Sequence, residues 1–371
     1  MPVPSLPDVG VAPAGTWTAV HWQQVRDLGL TGNEVGVHGW SGGFIALKQS
    51  PGSDDQGNPL PVTIQASASS DGVHWADPTS LETGFQGMFQ IRDIVEGPTG
   101  LLALAYPYGD TCGGPESVFA MWASPDGQAW TRIAMPKTFT ANHVETISGG
   151  KAGYIAFGGK GDTETRMIWT SPDAKAWTVR PLPTVSSGTL VIDQVASFDA
   201  GFIVLGGVLG EGGCGGGQHI KPAAWFSATG ASWTRASLPG ASTDPNASLS
   251  MRSSGDRLLV LQTLPGDEPT GPAWSSTDGR TFTSLGKVST DAVWSYSSLG
   301  SHNVSIIGPD SGTGPVTMTA IDMAGASSPI SQDGDVPIVT ESGGQVEFAI
   351  GPTGILAYTT DGIDSWIGLP S

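Results

Sequence analysis

Charged side chains fall at one equivalent position in three successive repeats of the chain, which makes this position a candidate for chemistry. When the repeats are aligned, Arg92, Glu145 and Asp193 occupy the same position on the predicted innermost strand of three repeats. His143 lies two residues before Glu145 and therefore on the same face of its strand. A basic group between two carboxylates, beside an imidazole, can bind a polar ligand, hold a cation or perform acid–base chemistry. Glu145 and Asp193 could form a glycosidase carboxylate pair at the right separation. The alternative is that these side chains line a water-filled central channel, where Arg92 neutralises the charge of its acidic neighbours.

Acidic residues recur in the loops that follow the second strand of six consecutive repeats. They form a predicted acidic rim that could bind Ca²⁺ or steer a cationic partner, and calcium is the one cofactor the sequence suggests. The stretch from Asp54 and Asp55 to Asn58 is the most calcium-like, although it lacks the spacing of a known calcium loop. The alternative is that these acids are ordinary solvated loop residues. The rim residues are Asp54, Asp55, Asp110, Asp162, Glu164, Glu211, Asp267, Glu268 and Asp310.

Three aromatic residues and two cysteines complete the candidate list. A binding module would present exposed aromatic rings on its loop-bearing face, and Tyr106, Tyr108 and Trp40 are the candidates. Cys112 and Cys214 both lie in glycine-rich stretches. They could form a disulfide in an exported protein, and otherwise remain free thiols. Their spacing does not fit a cysteine-based zinc site.

A repeated segment positions these residues. Ser69-Ser70-Asp71-Gly72-Val73-His74-Trp75 returns four times with an aromatic residue at its end, and a final copy is one residue longer. The interval from Phe282 to Trp366 has room for one degenerate copy, whose expected remnant is Ala324-Gly325-Ala326. The later copies are Ser124–Trp130, Ser171–Trp177, Ser227–Trp233, Ser276–Phe282 and Thr359–Trp366.

Each repeat predicts four strands, so the chain is expected to be an all-β protein of the β-propeller class. An apolar strand such as Gly153–Phe157 precedes a variable loop, a third strand and the Asp-Gly turn, for which a type I′ hairpin is predicted. We expect seven blades of four antiparallel strands, with six or eight as the alternatives. Trp17–Val20 is predicted to close the fold by pairing with the C-terminal blade. Residues 1–13 then form a Pro-rich tether, and residues 14–371 form a single domain.

The repeated Ser-x-Asp-Gly-x-x-Trp resembles the Asp-box, or BNR repeat, of sialidase-like propellers. The resemblance implies a structural role for Asp71, Trp75, Asp126, Trp130, Asp173, Trp177, Trp233, Asp278 and Asp361. It is weak for function, because sialidases, lyases, sorting receptors and binding propellers share the motif. Asp and Gly are adjacent here, whereas the usual box separates them by one residue. No Arg-Ile-Pro segment occurs, so sialidase activity is not expected.

The net charge of −18 bounds the partners. Such a surface repels nucleic acid and anionic membranes. No apolar run is long enough for a transmembrane segment. Acidity and low lysine content favour a secreted or cell-surface protein over a cytoplasmic one, and we expect a monomer. The preferred function is a binding or scaffold module for a carbohydrate or protein. A glycoside hydrolase or polysaccharide lyase using the channel residues is the rival, and a purely structural role is third.

Overall fold

The computed structural model describes most of the residues in the repeats. The described residues are 19–25, 35–50, 56, 60–86, 89–107, 120–140, 143–159, 166–210, 220–254, 257–265, 270–289, 293–299, 302–307, 317–321, 327–329, 331–334, 346–359 and 365–370. The Pro-rich segment 1–13 lies outside them, as do Asp54, Asp55, Tyr108, Cys112, Cys214 and Asp361. The predictions that concern these residues stay predictions.

Strands dominate the described chain, which contains one short helix, α1 (Lys137–Thr140). Sheet 1 holds β2 (Val35–Trp40), β3 (Gly43–Gln49), β4 (Pro61–Ser69) and β5 (Thr79–Gln86). Sheet 2 holds β6 (Phe89–Gly97), β7 (Gly100–Pro107), β8 (Ala120–Ser124) and β9 (Thr131–Ile133). Sheet 3 holds β10 (His143–Gly150), β11 (Gly153–Gly159), β12 (Arg166–Ser171) and β13 (Thr178–Arg180). Sheet 4 holds β14 (Thr189–Phe198), β15 (Gly201–Leu209), β16 (Ile220–Ser227) and β17 (Thr234–Ala236).

The remaining sheets come from the last part of the chain and from β1 (Ala19–Val25). Sheet 5 holds β18 (Ser248–Ser254), β19 (Arg257–Thr263), β20 (Thr270–Ser276) and β21 (Thr283–Ser289). Sheet 6 holds β22 (Val293–Leu299), β23 (His302–Ile307), β24 (Thr317–Ile321) and β25 (Ser327–Pro329). Sheet 7 holds β26 (Ser331–Gly334), β27 (Val346–Ile350), β28 (Ile355–Thr359) and β29 (Ser365–Pro370), with β1 between β26 and β29.

Six of these sheets are four-stranded and antiparallel, which is the blade of a β-propeller, and the all-β propeller class is thereby confirmed. The prediction of seven such blades is wrong, because only six described sheets have this composition. Sheet 7 differs: it has five strands, and β26 joins β1 in parallel, from Ala19 opposite Ser331 to Trp22 opposite Gly334. The physical reason is that β1 completes the sheet from the other end of the sequence and still exposes one edge, which β26 covers.

Strand β1 pairs with β29 in antiparallel register, from Val20 opposite Pro370 to Val25 opposite Ser365. Val20 and Trp22 are buried on this strand, and the Trp22 ring packs edge-on against Phe348 with centroids 6.4 Å apart. The division into a tether and one domain stays a prediction.

The residues fall into two compact units. Unit 1 comprises Met1–Ser50, Ile64–Ser80 and Ala292–Ser371, and unit 2 comprises Pro51–Thr63 and Leu81–Asp291. Within unit 2 the first strands of sheets 2 to 5 contact one another in succession, β6 with β10, β10 with β14, and β14 with β18. Within unit 1, β27 contacts both β22 and β2. The first strands are therefore the inner strands of the repeats, as in a propeller.

The second strands are buried on both faces, which explains their unbroken apolar sequences. Every residue of β11 is buried, and in unit 2 a separate apolar cluster fills each interface between sheets 2 and 3, 3 and 4, and 4 and 5. One tryptophan of the third strand lies at the centre of each cluster: Trp169, Trp225 and Trp274. These residues pack one sheet on the next. No helix in the described part of the chain is long and apolar enough to cross a membrane.

The turns between the third and fourth strands share one hydrogen-bond pattern. In Ser124–Trp130 the Oδ1 atom of Asp126 accepts hydrogen bonds from the N–H groups of Gln128 (2.9 Å) and Ala129 (2.8 Å). The Ser124 hydroxyl accepts from the Gly127 N–H (2.8 Å), and the Trp130 indole N–H donates to the Gly127 carbonyl (2.7 Å). Asp71, Asp173 and Asp278 make the same carboxylate contacts in their turns.

The predicted type I′ geometry is wrong for these turns. Type I′ requires positive φ at both central residues, whereas only the residue after the aspartate has it, as at Gly127 (φ 76°). The aspartate instead closes an Asx-type turn with its side chain, because its carboxylate reaches the N–H groups two and three residues ahead. In the third copy Ala174 takes the glycine position at φ 59°.

Candidate functional site

Each sheet of unit 2 has two chemically different ends. In sheet 4, Thr189 lies opposite Leu209, and Leu209 lies opposite Ile220, so β14 begins where β15 runs into the connection 210–219. We call this the loop end of the sheet. The other end, which we call the turn end, holds the tight β14–β15 hairpin and the Ser227–Trp233 turn, because Phe202 lies opposite Ser227. Sheets 2 and 3 have the same arrangement.

A β-bulge occurs near the loop end of three successive inner strands. The register shifts between Ile91 and Asp93 in β6, between Val144 and Thr146 in β10, and between Ile192 and Gln194 in β14. The extra residues are Arg92, Glu145 and Asp193. A bulge leaves its extra residue outside the ladder and re-aims the side chain, which is why bulges concentrate beside functional sites. The structure thus places the three predicted residues at one equivalent position of sheets 2, 3 and 4.

Glu145 forms an ion pair with Arg166, the first residue of β12. Arg166 lies opposite Gly159, and Gly159 lies opposite His143, so the arginine side chain crosses a strand that carries no side chain at that point. Its guanidinium also lies over the Phe157 ring, 5.4 Å from the ring centroid. Both ion-pair partners keep part of their side chains exposed to solvent. Glu145 is therefore a solvent-accessible carboxylate whose cationic partner is supplied by its own sheet.

Asp193 occupies the same position in sheet 4 with different surroundings. The residue is exposed, but protein atoms around the carboxylate displace part of its hydration and raise its pKa above the ordinary aspartate value. Neither Glu145 nor Asp193 points into packed core, which would have removed a chemical role. The side chain of Arg92 lies outside the described part, although its backbone position in β6 is clear.

The residues that follow the bulges connect neighbouring inner strands. A carboxylate oxygen of Asp93 accepts a hydrogen bond from the Ile147 N–H at 3.4 Å. The Gln194 amide accepts from the Met251 N–H (2.7 Å) and donates to the Met251 carbonyl (3.0 Å). In sheets 2 and 4 the bulge therefore separates two roles. The extra residue lies near the loop end, and the residue after it forms hydrogen bonds with the adjacent sheet.

The other predicted site residues have different placements. His143 begins β10, and Tyr106 lies near the end of β7 opposite Gln90, both at loop ends, with side chains outside the described part. Trp40 lies at the turn end of sheet 1, beside the β2–β3 hairpin, so it is not on the loop-bearing face. Its ring covers Gly42, where an added Cβ would lie 2.3 Å from the ring. The packing of the β2–β3 hairpin decides the position of Trp40.

Sequence reasoning missed two residues. Arg166 was not considered, although the Gly158-Gly159 pair upstream signals room for a long side chain to cross the strand. Trp294 is the extra residue of a fourth bulge, between Val293 and Ser295 of β22 in unit 1. A bulge depends on the register between paired strands, which a single sequence does not reveal.

Metal ligands are not gathered in the described residues: no group of three or more His, Cys, Asp and Glu side chains could hold an ion there. Calcium binding by Asp54 and Asp55 stays a prediction.

Comparison with known proteins gives similarity of fold class only. No protein-family model matches the chain, and no curated protein matches it. Among solved structures, YCF48 bound to a D1 peptide is 12% identical, with 94% of this chain and 97% of that chain covered at a TM-score of 0.46. The β-propeller domain of the Trilobed protease from Pyrococcus furiosus is 10% identical, with 90% and 93% covered at a TM-score of 0.49. An ancestral GH74 enzyme is 14% identical, with 94% of this chain and 50% of that chain covered at a TM-score of 0.48. Scores this low carry no argument about function, and the fold class rests on the strand pairing above.

Proposed function

We propose that the protein is a binding module of the BNR-like propeller type that takes a carbohydrate or protein partner at the loop ends of sheets 2 to 4. One observation carries the proposal: three successive inner strands bulge at the same position and leave Arg92, Glu145 and Asp193 outside their ladders. A bulge weakens the ladder locally, so its repetition with a charged residue in three successive sheets favours a role in recognition. Because most of the chain's charge is negative, we propose a secreted or cell-surface setting and a monomer.

The turn ends have a structural role in this proposal. Their aspartates accept hydrogen bonds from backbone N–H groups of their own turns through Oδ1, which gives the carboxylates a role within the turn. The residues that resemble Asp-boxes and the proposed binding residues therefore lie at opposite ends of each sheet.

The experiment compares the two ends. The immobilised protein is presented with neutral, sialylated and acidic glycans and with a displayed peptide library. Partners selected by the wild type are then measured against the Glu145→Gln/Asp193→Asn double variant and against Asp126→Asn/Asp173→Asn, which removes the same charge at the turn end. We expect at least a tenfold loss of affinity in the first variant and less than twofold in the second. Equal losses in both variants would reject a site at the loop end.

A glycoside hydrolase is the second candidate, favoured by the different environments of the two carboxyl groups. Asp193 has a raised pKa, as a general acid requires, whereas Glu145 is ion-paired with Arg166 and suits a nucleophile or charge stabiliser. Incubation with the same glycans, followed by mass spectrometry, tests this candidate. Hydrolysis would yield products that disappear in both Glu145→Gln and Asp193→Asn, and a panel without products would leave only the binding role.

A further inference from the structure

Sheets 3 and 4 have a bulge at the same position. In sheet 3 a cationic side chain of the same sheet, Arg166, contacts the extra residue, and sheet 4 has no equivalent arginine. In sheet 3 the strand pairing runs from Gly159 to Arg166, whose guanidinium lies on the Phe157 ring and contacts Glu145. In sheet 4 the equivalent pairing runs from Gly207 to Pro222. The position that supplies the arginine in one sheet is thus a proline in the next. Glycine is kept at the crossing point in both sheets.

Other described cations do not replace the missing arginine. Lys221 precedes Pro222 and, because side chains alternate along a strand, belongs to the other face of sheet 4. Arg252, on the neighbouring β18, donates a hydrogen bond to the Met251 carbonyl at 3.2 Å. Loss of hydration raises the pKa of Asp193, and among the described residues no cation forms an ion pair with it. Asp193 is an exposed residue, so a solute can reach its side chain although the carboxylate has lost part of its hydration.

We propose that Asp193 is the anchor for an arginine or lysine side chain of a partner polypeptide, which takes at sheet 4 the place that Arg166 takes at sheet 3. The inference rests on the proposed function and names its partner as a basic segment of another protein. The net charge of −18 supports it, because a negatively charged surface attracts a basic partner and accelerates its encounter. Arginine suits the site better than lysine, since its planar guanidinium can pair with a carboxylate through two hydrogen bonds.

The test uses the tripeptide acetyl-Gly-Arg-Gly-amide and its citrulline counterpart, which is nearly isosteric and neutral. Binding to the full chain is followed by NMR titration of ¹³C-labelled aspartate carboxyl groups. We expect the arginine peptide to bind saturably and to shift the Asp193 titration to lower pH, because a bound cation favours the ionised carboxylate. The citrulline peptide should do neither. Asp193→Asn should weaken binding at least tenfold, and Asp77→Asn, an equal change of charge at another exposed aspartate, less than twofold.

A second pair of variants keeps Asp193 in place. Pro222→Arg should weaken peptide binding, because the new guanidinium can cross Gly207 and reach Asp193 as Arg166 reaches Glu145. Pro222→Gln removes the proline without adding charge and should bind the peptide as the wild type does. Conversely, Arg166→Gln frees Glu145 and should raise the number of bound peptides from one to two.

The outcomes separate this inference from the proposed function. Equal affinity for the arginine and citrulline peptides, or equal losses in Asp193→Asn and Asp77→Asn, would overturn the basic-partner inference. If glycans then bind in an Asp193-dependent manner, the proposed function stands with a carbohydrate partner. If partners also bind the Glu145→Gln/Asp193→Asn variant normally, both proposals fail.

Discussion

A carboxyl group at the turn end of sheet 2 and one at the loop end of sheet 4 have opposite properties. Hydrogen bonds from the N–H groups of Ala129 and Gln128 hold the pKa of Asp126 below its ordinary value, whereas lost hydration raises the pKa of Asp193. The first environment favours the charged form and stabilises the fold. The second disfavours the charged form, so a proton or a bound cation would stabilise the Asp193 carboxyl group. The two environments therefore separate a carboxylate that is held by a turn from one that is partly desolvated without such hydrogen bonds.

A histidine in unit 1 should make stability depend on pH. Burial lowers the pKa of His38 from 6.5 to about 4, so between these values the unfolded chain binds a proton that the folded chain does not. The stability contribution is complete above pH 6.5 and falls as the pH drops, by up to about 3 kcal/mol at pH 4. Urea unfolding at pH 7 and pH 5 should show a smaller pH effect in His38→Gln than in the wild type.

Two glycines with similar positive φ should respond differently to alanine. Gly240 (φ 75°) has open space around an added Cβ, whereas at Gly279 (φ 67°) the Cβ would lie 2.6 Å from the Phe226 ring and 2.9 Å from Phe198. Gly240→Ala should cost about 1–2 kcal/mol, the conformational strain alone. Gly279→Ala should cost more, because overpacking adds about 1–3 kcal/mol. Denaturant midpoints measure the difference, and equal values would show that the neighbouring rings yield freely.

At the scale of elements, the repeated turn is the unit that sequence reasoning recovers best. The Ser, Asp and Gly types each have a local hydrogen-bonding reason, so their spacing predicts the turn, its strands and the packed tryptophans without tertiary information. The same reasoning misassigned the turn type, because Asp-Gly favours I′ geometry only when the side chain does not close the turn itself. It placed Arg92, Glu145 and Asp193 at equivalent positions but could not reveal the bulges or Arg166, since these depend on register between strands.

The Asp126 carboxylate should stabilise the turn mainly as a hydrogen-bond acceptor, with a smaller contribution from its charge. Asp126→Ala removes the acceptor of two backbone hydrogen bonds and should cost about 1–2 kcal/mol. Asp126→Asn keeps the Oδ1 acceptor and should cost less than half as much. Because the aspartate pKa is lowered, the wild-type advantage over the alanine variant should persist at neutral pH and decline below about pH 4. Thermal unfolding at pH 7 and pH 3 measures both effects, and a full loss in the asparagine variant would assign the effect to charge.

At the scale of the whole molecule, β1 is the element whose loss should affect stability most. It joins β26 and β29 within sheet 7, and its indole Trp22 is almost completely buried. Trp22→Ala should cost about 3–5 kcal/mol, through lost apolar burial and the resulting cavity. Trp22→Phe keeps most of that burial and should cost less than half as much. Differential scanning calorimetry compares the two, and a minor effect of the alanine variant would mean that sheet 7 is held without β1.

The pairing of β1 with β29 also determines how late in synthesis β1 can join its sheet. During synthesis β1 leaves the ribosome hundreds of residues before its antiparallel partner, which occupies Ser365–Pro370. At about 5–20 residues per second the interval is on the order of 20–70 seconds. Throughout it, Val20 and Trp22 have no sheet to enter, because β26 is also made late. The nascent chain therefore carries β1, with its apolar Val20 and Trp22 and both edges unpaired, for most of its synthesis. We expect chaperones to keep this strand from associating with other chains.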